Sequence, residues 1–350
     1  MAELSELDGA FFARLHNEQR LVDAYLLVDL VRLYGGAEAR DDAERRWMLV
    51  GADLYRDPTE LLRVARRRAA DTSDPHHVQA LLDLSQILTS LNAPMDEINA
   101  VLDSVYDRSV IQGKQDHAVQ AATLRAYNDR LAGAFASVIA RLEPLRQSAF
   151  VRDDPTTLIR LLFVEIEARS DGDDLDGARL LCNELIELAR ENGDRVYWQV
   201  GTALLGRTMV LQGDPTSGFE LAHSVLADLV DSTGVIAHGW GHGVAADALF
   251  ALGDYAEARH HIEEVLTLPA SDPYLSDTCE LACVDLAVGD FDAAEARFRQ
   301  VLAAPFSVRP HARSLQGLGD IAEARGDHGD ARVFWEEALT IAILPRDRRA

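Results

Sequence analysis

Gly253-Asp254-Tyr255 with Ala258, Gly289-Asp290-Phe291 with Ala294, and Gly326-Asp327-His328 with Ala331 are three copies of one phrase. Gly253 to Gly289 is 36 residues, and Gly289 to Gly326 is 37. Each phrase leads into an apolar stripe ending at Val265-Leu266, Val301-Leu302 or Ala338-Leu339. In the last copy, Leu315, Leu318 and Ala322 share one face of a first helix at three- and four-residue steps. Gly326 supplies the left-handed residue on which a chain leaves a helix, and Asp327 can cap the next one. Ala331, Trp335 and Ala338 then line the face of a second helix that meets the first. The small residue at 331 lets two backbones close up, and Trp335 fills the space beside it. Neither helix can hide its stripe alone, so the copies must stack, which is the logic of a helical solenoid. The expected fold class is all-α, about eight or nine antiparallel helix pairs.

Leu318-Gly319, Gly326, Ala331, Trp335 and Ala338 together resemble the tetratricopeptide repeat, as do Leu205-Gly206 and Gly213-Asp214 in an earlier copy. Ala282 and Asp285 stand where that repeat usually has Gly and Tyr. The resemblance covers residues 195–345 and fades toward the N-terminus. It implies a right-handed superhelical array. Upstream, the arms lengthen, to 117–131 with 134–150 and 155–169 with 175–191. The small second-helix positions align as Ala136, Ala178, Gly218 and Ala258, which are 42, 40 and 40 residues apart. Arms of this length, with Leu188-Ala189-Arg190-Glu191-Asn192-Gly193-Asp194, resemble the repeat arm of maltose-regulator-type and actinobacterial transcription activators. The phosphate loop and DNA-binding helix-turn-helix of those regulators have no counterpart. Gly113-Lys114 is followed by Gln115 and lacks the upstream glycine. The resemblance is therefore to a sensing or interaction arm alone.

The 350 residues carry a formal net charge of −24, which argues against a nucleic-acid partner because that needs a basic face. A hydrophobic content of 48% suffices for a long buried core. Lys114 is the only lysine among 34 basic residues, a bias that points to a high-GC bacterial genome. Cys182, Cys279 and Cys283 form no framework and read as reduced, cytoplasmic thiols. The start, Met1-Ala2-Glu3-Leu4, has no basic region or apolar core of a signal peptide, and the apolar runs fall short of a membrane span.

Helices are expected at 4–16, 20–34, 41–55 and 58–70, with Asp57-Pro58 as cap and first-turn proline. A further pair begins at Asp74-Pro75, its second helix near Pro94. Residues 1–115 read as divergent repeats or a capping bundle, continuous with an array over 116–350. Arg63, Arg66, Arg67 and Arg68 form a basic patch that is either a solvated face or a partner surface.

The resemblance implies that the first helix of each pair lines a concave groove. Register set on each turn glycine then turns Arg125, Asn128, Arg160, Phe163, Glu167 and Arg207 inward. Further along it adds Trp240, Asp247, Phe250, Cys279, Cys283, Arg313, Gln316 and Asp320. Guanidinium forks at successive levels suit an acidic peptide, a C-terminal carboxylate or an anionic metabolite. The competing reading pairs each Arg with a neighbouring Asp or Glu. In His238-Gly239-Trp240-Gly241-His242-Gly243, three helix glycines cost about 1 kcal/mol each relative to Ala, so close packing or a ligand on Trp240 must offset them. His238 and His242 share a face at i and i+4, with His223, His260 and His261 in flanking helices, but no third metal ligand sits at fixed spacing. Asp171-Gly172-Asp173-Asp174-Leu175-Asp176-Gly177 has Leu175 where a calcium loop needs a ligand, and reads as a solvated loop with a capping signal.

No nucleophile elbow, zinc-protease helix or dinucleotide turn is present. The expectation is a non-catalytic binding protein, adaptor or regulator, that captures a protein or peptide segment in its groove with no cofactor or metal. The alternatives are a small-molecule sensor and an enzyme built around His238, His242 and Asp247.

Overall fold

A computed structural model describes residues 32, 43–48, 58–72, 76–91, 93–229, 235–268 and 275–347. Regular secondary structure among them is helical throughout. The helix expected at 4–16 lies outside the described residues, as does nearly all of that at 20–34. The helix expected at 41–55 is described only over 43–48, which is helical. The chain divides into two compact units, Met1–Arg125 and Ala126–Ala350.

In the first unit, α1 (Pro58–Ala70), α2 (His77–Ser90) and α3 (Met95–Gln112) enclose an aliphatic core. Leu61, Val64, Val78, Leu82, Ile87, Leu102 and Val105 pack with Trp47 and Met48. The basic patch on α1 is fully engaged: Arg63 pairs with Glu60, Arg66 with Glu97, and Arg67 and Arg68 with Glu44. Helix α4 (Gln115–Leu131) carries the chain across the division.

The second unit continues with α5 (Phe135–Arg146), the short α6 (Ala149–Arg152), α7 (Pro155–Asp171), α8 (Leu175–Glu191), α9 (Arg195–Leu211) and α10 (Pro215–Asp228). It ends with α11 (Val235–Leu252), α12 (Tyr255–Leu266), α13 (Ser276–Ala287), α14 (Phe291–Leu302), α15 (Val308–Arg325) and α16 (His328–Asp347). These form a solenoid of helix pairs, α7–α8, α9–α10, α11–α12, α13–α14 and α15–α16. First helices also touch the next first helix, α7 with α9, α9 with α11 and α13 with α15.

One local device generates the repetition. Gly213, Gly253, Gly289 and Gly326 take φ between 83° and 88°, where a side chain would be strained. The following Asp214, Asp254 or Asp290 accepts the backbone N–H of the third helical residue, Ser217, Glu257 or Ala293. The fourth helical residue is then buried against the first helix: Ala178, Gly218, Ala258, Ala294 and Ala331. In α5 the sequence alignment is corrected. Ala136 is exposed, and Val138, the fourth residue of that helix, takes the buried place. The register differs by two because the buried fourth residue of α5 is a valine rather than a small residue. Val138, Ala178, Gly218 and Ala258 then lie 40 residues apart at each step.

Close approach is demanded at two more places. A Cβ on Gly317 would stand 2.3 Å from the buried Phe298 ring, and one on Gly206 would stand 3.0 Å from the Gly218 carbonyl. Trp335, expected to fill space beside Ala331, instead covers Gly319, where a Cβ would meet its indole at 2.4 Å, and donates to Asp320 at 3.0 Å.

Candidate functional site

Because the capped turn fixes the phase of each pair, the same face of successive first helices points inward. In the second unit these faces wall a cavity of about 590 Å³, a size typical of ligand pockets. Its walls come from α4, α7, α9, α11, α13 and α15, with Phe135, Ile262, Val265 and Leu268 closing the sides. The lining is largely apolar, with Trp240, Phe250 and Tyr127 supplying aromatic faces. Phe163 meets Trp240 edge-on, with ring centroids 5.8 Å apart.

Into this apolar wall the chain sets nine charged residues: Arg130, Glu167, Asp171, Arg207, Asp247, Asp277, Glu280, Arg309 and Arg313. Asp171, at the end of α7, accepts from Arg207 Nη2 at 2.7 Å and from Arg130 Nη1 at 2.9 Å. Arg130 also lies 3.2 Å from Glu167 Oε1. Arg309, in the first turn of α15, reaches across the cavity to 3.7 Å from Asp171 and 3.9 Å from Glu280. Arg313 donates to Glu280 Oε1 at 3.0 Å and to Cys283 Sγ at 3.1 Å, and lies 5.9 Å from the centre of the Phe250 ring.

The electrostatics follow from this packing. Burial alone would raise Asp171, but the guanidinium groups of Arg207, Arg130 and Arg309 outweigh it and hold the carboxyl well below the usual range. Glu167 goes the other way, because burial pushes its carboxyl up against the opposing pull of Arg130. Burial likewise raises Glu280, and the neighbouring Asp247 carboxylate adds to the rise against the pull of Arg313. Cys283 is drawn down by a hydrogen bond from Cys279, and Arg313 assists, whereas burial pushes Cys182 up to about 12.

Several polar groups are left without partners. Glu167 Oε2, Arg207 Nη1 and Arg130 Nε are buried and have no hydrogen-bond partner among the described residues, while Glu167 and Arg207 are only 4% and 5% exposed. No hydrogen bond or ion pair among the described residues engages the half-buried Asp247. A buried donor or acceptor left unsatisfied costs about 1–3 kcal/mol, so these atoms mark where a bound group would be recognised.

Of the side chains expected in the groove, Glu167, Arg207, Trp240, Asp247, Phe250, Cys279 and Arg313 line this cavity. Arg125, Asn128, Arg160, Phe163, Cys283, Gln316 and Asp320 do not. Arg125 belongs to the first unit and lies 3.4 Å from Asp103, Asn128 is buried, and Arg160 and Gln316 face outward. The acidic loop is corrected in part. Asp174 caps α8 as expected, but Asp171 is buried at the centre of the charged cluster rather than solvated. Tyr127, Arg130, Asp171, Glu280 and Arg309 were missed. Arg309 carries no local signal, since its partner Asp171 is far away in sequence.

The glycines of α11 divide by role. A Cβ on Gly241 would press on Leu226 at 2.8 Å, so that position serves packing, while Gly239 and Gly243 form cavity wall beside Trp240. The histidines lie elsewhere. His242 Nδ1 and His261 Nδ1 lie at hydrogen-bond distance, 2.8 Å, and His238 stacks on His242. Burial and the neighbouring His261 lower His242 to about 4. Among the described residues no group of three His, Cys, Asp or Glu is arranged to hold a metal ion, and no helix is long and apolar enough to cross a membrane.

Two stretches match tetratricopeptide-repeat family models, residues 239–264, which span most of α11 and α12, and residues 279–346, from α13 into α16. They support a tetratricopeptide-repeat protein and, generally, a role in protein interaction. No curated protein matches the chain.

Proposed function

We propose that this chain is a non-catalytic binding protein, an adaptor or regulator, that takes a peptide segment into the cavity on its first helices. One observation carries the reading: Arg207 and Glu167 line a cavity with Trp240 and Phe250, and their buried Nη1 and Oε2 have no hydrogen-bond partner among the described residues. A peptide supplies what they lack, carbonyls to accept and amides to donate, with side chains for the aromatic wall. Arg125, Arg207 and Arg313, which the sequence offers to an acidic partner, are paired with Asp103, Asp171 and Glu280, so recognition rests on the unfilled valences rather than on a basic groove. We place the protein in the cytoplasm, from its three free thiols.

A second reading, a small-molecule sensor, is favoured by the cavity's size and by Arg309, which bridges its walls. Native mass spectrometry of protein purified gently from producing cells separates the two. A co-purifying polypeptide present with the native chain and lost from Trp240→Ala supports peptide capture. A bound mass of a few hundred daltons supports the sensor. A polypeptide retained equally by Trp240→Ala places binding outside the cavity and contradicts both.

A further inference from the structure

The charges of the cavity are not evenly mixed. On the side built by α4, α7 and α9, with Arg309 reaching over from α15, three guanidinium groups (Arg130, Arg207 and Arg309) face two carboxylates, Glu167 and Asp171. That side has one cation in excess, and a second whenever buried Glu167 takes up a proton. On the side built by α11 and α13 the balance reverses. Three acidic residues, Asp247, Asp277 and Glu280, stand with Arg313, whose fork is already engaged by Glu280 and Cys283, while Arg309 reaches only to 3.9 Å from Glu280. The Asp247 carboxylate is close enough to disfavour the charge on Glu280.

The unfilled valences follow the same division. The orphan Nη1 of Arg207 and the half-exposed Arg309 guanidinium, which makes no hydrogen bond and only long ion pairs, lie on the cationic side. Asp247, which makes no hydrogen bond or close ion pair among the described residues and feels Arg207 and Arg313 only through space, lies on the anionic side with Trp240 and Phe250 on the same helix. Aromatic faces beside a free carboxylate suit an ammonium group, and paired guanidinium forks suit a carboxylate.

We infer that the cavity is built for a dipolar ligand that carries both an ammonium and a carboxylate: a short peptide with free ends, its ammonium at Asp247 and its carboxylate at Arg207 and Arg309. This rests on the reading of the cavity as a peptide site and narrows it. A cavity of about 590 Å³ holds a few residues, so both ends of a short chain fall within reach of the two poles. An interior segment of a long protein would bring no charged termini and would leave Asp247 and Arg309 unsatisfied.

The test uses the full chain and a synthetic tetrapeptide library in three forms: free ends, N-acetylated and C-amidated. Retained peptides are read by native mass spectrometry. The expected result is retention of free-ended members, with each capped form weakened at least about tenfold, the effect of losing one charge-assisted contact. Asp247→Asn should abolish the discrimination against acetylated peptides, and Arg309→Gln the discrimination against amidated ones. Both residues are partly exposed, so the variants should fold, which thermal melts would confirm. Equal retention of all three forms overturns the dipolar assignment and leaves peptide capture standing. Retention of none removes the peptide reading and the assignment together.

Discussion

Helices α2–α3 of the first unit and α11–α12 of the second are both helical hairpins, yet they close by different means. The α2–α3 pair is joined through Ala93-Pro94, with no side-chain cap on α3, and is held by large aliphatics such as Leu82, Ile87, Leu102 and Val105. The α11–α12 pair turns on Gly253, is capped by Asp254, and closes on Ala258. The first arrangement fills a core; the second specifies a phase. Only a fixed phase, repeated from pair to pair, turns the same helix face inward each time and produces a shared cavity. The difference teaches that turn chemistry, more than hydrophobic volume, positions the site.

The comparison breaks most readily at Phe298. Its ring is fully buried and occupies the space left by Gly317, so Phe298→Ala should cost about 3–5 kcal/mol in denaturant melts. Leu102→Ala in the first unit should cost about 2–5 kcal/mol. If the Leu102 change alone loosened the cavity, the proposed role of the capped pairs would fail. Gly317→Ala should cost about 1–3 kcal/mol by overpacking against that ring, and Phe298→Leu in the same chain should restore part of it. Asp254→Ala removes the cap of α12 and should cost about 1 kcal/mol, whereas Pro94→Ala, at a position without a side-chain cap bond, should cost less.

The smallest effect is the pH dependence of α11 against α12. His242 sits at about 4 in the folded chain against about 6.5 when exposed, and His261 is lowered too, each by burial first and then by neighbouring histidines. The unfolded chain therefore takes up these protons first as pH falls. The stability tied to neutral His242 is complete above pH 6.5 and drains away toward pH 4. On a half-exposed ring this amounts to about 1 kcal/mol after solvent screening. Melts of His242→Gln should show a shallower acid slope across that window, and an unchanged slope would assign acid sensitivity to other groups.

The helix limits and the repeat were legible because Gly-Asp turns and buried small residues act locally. Pro58–Ala70 was legible from its first-turn proline, and the pair expected at 155–169 and 175–191 agrees with Pro155–Asp171 and Leu175–Glu191 to within two residues. The cavity was legible where a side chain lies at mid-helix in register with its turn glycine, as with Arg207, Trp240, Asp247 and Phe250. It was illegible where position depends on curvature. Arg125 and Gln316 obey the same register, yet one falls in the first unit and the other faces outward. Asp171 resembled its solvated neighbours Asp173 and Asp174 because nothing in the sequence announces that Arg207 and Arg130 converge on it. Arg309 joins the site only because the array brings α15 back toward α7.

The most direct test of the account places a photo-crosslinking benzoylphenylalanine at position 240, on the cavity wall, or at position 111, where Ile111 is 84% exposed in the first unit. Each chain is irradiated in the cells that produce it, and the covalent adducts are identified by mass. The account requires an adduct from position 240 that disappears in the Asp247→Asn background, and no matching adduct from 111. The same adduct from position 111, with none from 240, would contradict the claim that the cavity is where this protein binds.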